Sequence, residues 1–190
     1  MLYWILPNGS NLAFVPRTGS TAWATAILTQ FYPGQLAKWQ AQSAPAGYDA
    51  APIQFFVPPS KDPAAGALLA VTRNPLDRFC SGFSRAANGL TVDELIAKLR
   101  DGTCKNLHVW RISDQIPSNQ LSRVQWYRWD RDLPALATAC GLSAVPSLAN
   151  DSDPANKPVL TDAQVALLQT YYAADIATYN ACAAAGTVVA

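Results

Sequence analysis

The chain has 190 residues, 50% of them hydrophobic and 14% charged, a composition that builds a globular core and excludes a disordered tract. That length suits one domain spanning residues 1–190 and is too short for two. With 14 basic against 13 acidic side chains the formal charge is +1. No overall basic field therefore draws nucleic acid or an anionic membrane, and a bound anion has to be held by particular arginines and backbone amides.

In chain order, Met1-Leu2-Tyr3-Trp4-Ile5-Leu6 is apolar but stops at Pro7-Asn8-Gly9. It lacks a basic leader and is too short for a signal peptide or a membrane anchor, so a soluble cytoplasmic protein is expected. Short apolar runs, rich in β-branched or aromatic residues or flanked by turn formers, predict strands over 12–15, 53–57, 68–72 and 124–129. Helices are predicted to alternate with them, over 20 to about 31, 35–42, 75 to about 87, 91–100 and 132–140. The best-defined helix is the last, over 161–182. Thr161 and Gln164 form a capping box there, and Val165, Leu168, Tyr172, Ile176 and Tyr179 recur at helical spacing. Strands alternating with helices imply βαβ units, hence an α/β fold of three layers with a mostly parallel central sheet flanked by helices. In such sheets ligands bind beyond the carboxyl ends of the strands.

The exit of the first predicted strand reads Phe14-Val15-Pro16-Arg17-Thr18-Gly19-Ser20-Thr21. A strand running through a glycine turn into a helix aims backbone N–H groups and the positive helix end at one point, which suits phosphate or sulfate. Ser20 and Thr21 add hydroxyl donors and Arg17 a planar, permanently charged fork. A capped helix that binds nothing fits the same residues. No G-x-x-x-x-G-K-[ST] occurs in the chain, which argues against an ATP-hydrolysing P-loop or a P-loop kinase.

The exit of the third strand reads Thr72-Arg73-Asn74-Pro75-Leu76-Asp77-Arg78-Phe79-Cys80-Ser81-Gly82-Phe83. Asn74 suits a helix cap and Pro75 the first turn. Arg73, from the strand end, and Ser81, from the helix, are placed to converge on one phosphate. Arg78 and Arg85 share the helix face with Ser81, and solvating that face is the alternative for both.

Pro-Arg-Thr-Gly-Ser-Thr after a first strand, with Arg-Asn-Pro-Leu-Asp-Arg-Phe-x-Ser-x-Phe after a later one, resembles the two signature motifs of the sulfotransferases that use 3′-phosphoadenosine-5′-phosphosulfate (PAPS). The carbohydrate, or Golgi-type, branch is the most similar. The resemblance implies a P-loop-like three-layer fold, a 5′-phosphosulfate loop over Pro16, Arg17, Thr18, Gly19, Ser20 and Thr21, and a 3′-phosphate site made by Arg73 and Ser81. Many family members carry Lys where this chain has Arg17. The segment from Val124 to Asp130 is similar to the family's late strand, and Tyr172 with Asp175 to its C-terminal Tyr-x-x-Asp helix. The implied reaction is transfer of a sulfuryl group from PAPS, as donor cosubstrate, to a hydroxyl acceptor, either a carbohydrate or a small molecule. A non-catalytic PAPS- or nucleotide-binding module that keeps the fold is the alternative.

Such a transfer needs a base for the acceptor hydroxyl. In several branches of the family it comes from the loop after the second strand, where this chain offers Asp62. The one histidine, His108, lies in Asn106-Leu107-His108-Val109-Trp110 and resembles a His-Trp-x-Pro-Gln segment of some carbohydrate sulfotransferases, from which Val109 departs. An imidazole is the natural base near neutral pH, so His108 joins Arg17 as a catalytic candidate, with a surface role as the alternative. Asp114 and Asp130 are further candidates, and Glu94 reads as a solvated helix charge. Trp110, Trp126, Tyr127 and Trp129 suit either stacking on a base or core packing, and Trp126 and Trp129 cannot share one strand face. Four scattered cysteines and a single histidine give no zinc set, so no metal is expected and the thiols read as mostly buried.

Overall fold

A computed structural model describes residues 3–13, 15–34, 36, 66–104, 106–147 and 157–189. The predicted strand 53–57, the loop that carries Asp62 and most of the predicted helix 35–42 lie outside the described residues.

Among the described residues five strands form one sheet in the order β1 (Tyr3–Ile5), β2 (Asn11–Ala13), β3 (Leu68–Thr72), β4 (Val124–Arg128) and β5 (Thr187–Val188). The pairs β2–β3 and β3–β4 are parallel, whereas β1–β2 and β4–β5 are antiparallel. The sheet is therefore mixed and not mostly parallel, because an antiparallel strand closes each edge of a three-strand parallel centre. Pro7-Asn8-Gly9 makes the first hairpin possible: Gly9 adopts φ 81° and its amide donates to Leu6 O at 2.9 Å. In the full parallel register Leu68 pairs with Val124 and Thr72 with Arg128. The carboxyl ends of β2, β3 and β4 consequently lie along one rim.

The helices, numbered in chain order, are α1 (Ser20–Phe31), α2 (Pro75–Ala86), α3 (Val92–Arg100), α4 (Ile112–Gln115), α5 (Ser118–Leu121), α6 (Leu133–Ala139), α7 (Asp162–Tyr171) and α8 (Ala173–Ala181). The alternation of side chains along a strand divides the core. Leu69, Val71 and Tyr127 pack with Trp23, Ile27 and Leu28 of α1 and Leu136 of α6. Leu68, Ala70, Val124 and Trp126 face the other way, against Ile112, Ile116 and Cys182. Trp126 and Trp129 accordingly belong to opposite faces. A third cluster joins α2, α3 and α7 through Phe79, Leu95, Leu99, Leu168 and Tyr172.

Local signals account for most boundaries. Asn74 caps α2, its side chain accepting from Leu76 N at 3.0 Å and Asp77 N at 3.3 Å, with Pro75 at the first position. Thr91 with Glu94, and Thr161 with Gln164, close full capping boxes on α3 and α7. The predicted last helix is two helices. Tyr172, at φ −90° and ψ 17°, divides α7 from α8, and its side chain is wholly buried. Among the described residues no helix is long and apolar enough to cross a membrane.

Candidate functional site

The loop after β2 turns over residues 16–19 and delivers the chain into α1 at Ser20. Two of its residues have left-handed backbone, Gly19 at φ 77° and Arg17 at φ 67°. Glycine adopts that conformation without cost. An arginine there is uncommon and persists where surrounding structure holds it, as at ligand clamps. Gly19 is the N-cap of α1 and supplies no side-chain cap, and the first turn carries no acidic residue. The helix end thus keeps its positive character toward an incoming anion. Thr18 is buried, and its hydroxyl donates to Val15 O at 2.8 Å. That hydroxyl shapes the loop from inside. Pro16 is buried beside it, while Arg17, Gly19, Ser20 and Thr21 are half-buried.

The second motif meets the first directly. Arg17 donates from Nε and Nη2 to Ser81 Oγ, at 3.1 Å and 2.7 Å, across 64 positions of sequence. Ser81 is buried on α2. Arg73, the residue after β3, donates from Nη1 to the carbonyl oxygen of Arg17 at 3.3 Å. The two predicted phosphate sites therefore form one cluster. The expected meeting of Arg73 with Ser81 is mediated here by Arg17, whose side chain engages Ser81 and whose main chain engages Arg73. Accepting from a guanidinium turns the Ser81 hydroxyl hydrogen away from Arg17. The arrangement gathers two planar, permanently charged forks and a hydroxyl at the carboxyl ends of adjacent parallel strands, the chemistry that recognises phosphate and sulfate oxygens.

Trp129 supports Arg73 from beneath. Its amide donates to Thr72 O at 2.8 Å, extending the β3–β4 ladder by one residue, and the Arg73 guanidinium lies 5.4 Å from its ring centroid. Trp126 and Tyr127 are core residues, and Trp110 donates from its indole N–H to Cys104 O at 2.6 Å.

Arg78 does not take the alternative of a solvated face. It is fully buried, whereas Arg85, about two turns further on, is exposed. Its guanidinium donates to the carbonyls of His108, at 3.5 Å, and Trp110, and lies 3.7 Å from the Asp175 carboxylate. Asp175 in turn accepts from the amides of Ile112 and Ser113 at 2.7 Å and 3.0 Å, at the start of α4. Tyr172 packs its ring 5.7 Å from the Arg78 guanidinium and donates from its hydroxyl to Val109 O. Burial pushes the Tyr172 phenol upward, so it stays a hydrogen-bond donor.

His108 is half-buried in the segment this network holds. Its amide donates to Asn106 Oδ1 at 3.0 Å. Its main chain lies against α2 at Gly82, the neighbour of Ser81: a Cβ on Gly82 would stand 2.5 Å from the His108 carbonyl oxygen. The other described candidates for a base are occupied. Asp114 accepts from Arg111 Nε at 2.7 Å. Asp130 accepts from Arg128 at 2.6 Å and 3.1 Å, and that hydrogen bond holds its carboxyl below the usual range. Glu94 is exposed and spent on its capping box. Cys104, Cys140 and Cys182 are buried and Cys80 half-buried, and burial pushes the Cys140 thiol up to about 12.

Comparison of the chain with protein-family models, with curated proteins and with solved structures yields no match.

Proposed function

We propose that the chain binds PAPS at the Arg17–Ser81–Arg73 cluster and transfers its sulfuryl group to a hydroxyl of a carbohydrate or small-molecule acceptor. The double hydrogen bond from Arg17 to Ser81 carries this reading, because it joins the two motifs that the sequence resemblance assigns to the two ends of one donor. Arg73 and Ser81 read the 3′-phosphate. The amides of the loop from Pro16 to Thr21 and the opening of α1 hold the 5′-phosphosulfate. In the transfer the acceptor oxygen attacks sulfur in line as the bond from sulfur to the bridging oxygen breaks, leaving 3′-phosphoadenosine-5′-phosphate (PAP). Arg17 neutralises the charge that grows on the bridging oxygen, and His108 takes the acceptor's proton.

The test is sulfuryl transfer from labelled PAPS to a panel of hydroxyl acceptors, with PAP affinity measured in parallel. His108→Ala and His108→Gln are expected to lower turnover by about a hundredfold or more while PAP affinity holds. Full activity in both variants would remove His108 as the base.

A second reading, a non-catalytic module that binds PAPS or a related nucleotide, draws on the engagement of Asp114 and Asp130 by arginines, which takes both carboxylates out of the candidate bases among the described residues. Tight PAP binding by the wild type without transfer to any acceptor would favour it.

A further inference from the structure

We infer that Arg78 and Asp175 are positioning residues that hold the segment bearing His108 against α2, one residue from Ser81. The inference rests on the reading of His108 as the base. Its ground is the concentration of otherwise costly contacts on one short stretch of main chain. A buried arginine and a buried aspartate, with side-chain exposures of 0% and 2%, are 3.7 Å apart. Burying such a pair is expensive unless further hydrogen bonds satisfy both ions. Here the bonds made by the two Nη groups of Arg78 and by both oxygens of Asp175 go to the stretch that carries His108, while Arg78 Nε is left without a hydrogen bond among the described residues. Arg78 takes the carbonyls of His108 and Trp110, and Asp175 takes the amides of Ile112 and Ser113. Tyr172 adds the carbonyl of Val109.

A network serving stability alone has no need to converge on five main-chain groups within six residues. This one spends its charge on the main chain between the candidate base and α4. Arg78 also lies one helical turn before Ser81. The same helix therefore presents a serine to Arg17 and an arginine to the His108 segment, so that the donor cluster and the main chain bearing His108 are braced on one element. Gly82 lets that segment approach, for any side chain there would meet the His108 carbonyl.

The chain's single histidine makes the test direct, since one imidazole signal in the NMR spectrum reports the position. Asp175→Asn keeps the shape of the side chain but turns an amide toward groups that donate. Tyr172→Phe keeps the ring beside Arg78 and removes only the bond to Val109, so it decides the matter should Asp175→Asn fail to fold. In each folded variant, well below its unfolding temperature, the His108 Cε1–H signal should move outside its wild-type line width. The contact between Gly82 Hα and the Val109 methyls should weaken by about half or more. Where transfer is measurable, kcat should fall roughly tenfold or more while the Kd for PAP changes less than about twofold. An unmoved histidine signal and an intact Gly82–Val109 contact in a folded variant would overturn the positioning role, whether or not the wild type transfers sulfate. A displaced segment with kcat unchanged would overturn it as well. Absence of transfer in the wild type would instead count against the proposed activity, and the NMR result would still decide whether the pair positions His108.

Discussion

Replacing Gly82 by Ala sets two well-characterised effects against each other. Gly82 is buried in the middle of α2, where alanine ordinarily stabilises by about 0.5–1 kcal/mol through the lower entropy of the unfolded chain. The site does not permit the added methyl. It would lie 2.5 Å from the His108 carbonyl oxygen, 3.1 Å from its carbonyl carbon and 3.2 Å from Val109 Cγ1, against ordinary contact beginning near 3.4 Å. Two of those three atoms are main chain, and that main chain is anchored by Arg78, Tyr172 and Asp175, so the helix and the segment must part by nearly an ångström. Overpacking of this kind costs roughly 1–3 kcal/mol, and a braced backbone puts it toward the upper end. The net expectation is destabilisation by about 1–2 kcal/mol, which lowers Tm by roughly 2–8 °C in a chain of this size. Thermal unfolding followed by circular dichroism measures it, and urea titration checks that the m-value is unchanged. A rise in Tm would refute the close approach of the two main chains and with it the geometry that places His108 near Ser81.

Arg73→Ala should weaken PAP binding by about 2–4 kcal/mol, since it removes a charge-assisted partner from a desolvated phosphate, and calorimetry with PAP and AMP should show the preference for the 3′-phosphate falling with it. Arg17→Ala and Ser81→Ala should be non-additive for PAP binding, with a coupling of roughly 0.5–3 kcal/mol from a double-mutant cycle, because the side chains touch. Asp132, buried and hydrogen-bonded by Arg131, has its carboxyl held below the usual range. The stabilisation from that depressed pKa is present above the ordinary carboxylate value of about 4 and is lost as pH falls through the lower folded value. The Tm of the wild type should accordingly drop more steeply below about pH 4 than that of Asp132→Asn, and parallel curves would show that Asp132 contributes nothing to the acid limb.

The parts of the fold that sequence reveals are those with local causes. The strand over 68–72 and the helix over 20–31 are found at their predicted bounds, the first a buried apolar run and the second a helix entered through Gly19. Asn74-Pro75 and Thr161 with Gln164 mark helix starts because a cap is made by residues two or three apart. The antiparallel edges carry weaker local signals. Tyr3–Ile5 is three residues long, and its signal, Pro7-Asn8-Gly9 between two apolar runs, is the hairpin pattern that reading the segment as a possible leader passes over. Thr187–Val188 is too short to carry any period. Apolar spacing runs through Tyr172 without a gap, so the sequence carries no local signal for the division of the last helix.

The candidate site divides in the same way. The motifs name Arg17, Arg73 and Ser81, and the parallel register of β2 and β3 brings them to one rim. That Arg17 itself bridges to Ser81 depends on a contact across 64 positions, for which no local pattern exists. The burial of Arg78 is not legible locally. Its spacing from Ser81 places the two on one face, and nothing near it in sequence announces that Asp175 and the carbonyls of His108 and Trp110 engage it. The available signal was Tyr172-x-x-Asp175, which places an acid and an aromatic on one helical stripe that has to find a partner.

Whether the Arg17–Ser81–Arg73 cluster reads the two phosphate-bearing ends of one donor is tested most directly by calorimetric titration of the wild-type protein with PAP and with AMP. PAP should bind at least about tenfold more tightly, roughly 1.4 kcal/mol, because only PAP presents a 3′-phosphate to Arg73 and Ser81. Equal affinities for the two nucleotides, or binding of neither, would contradict it.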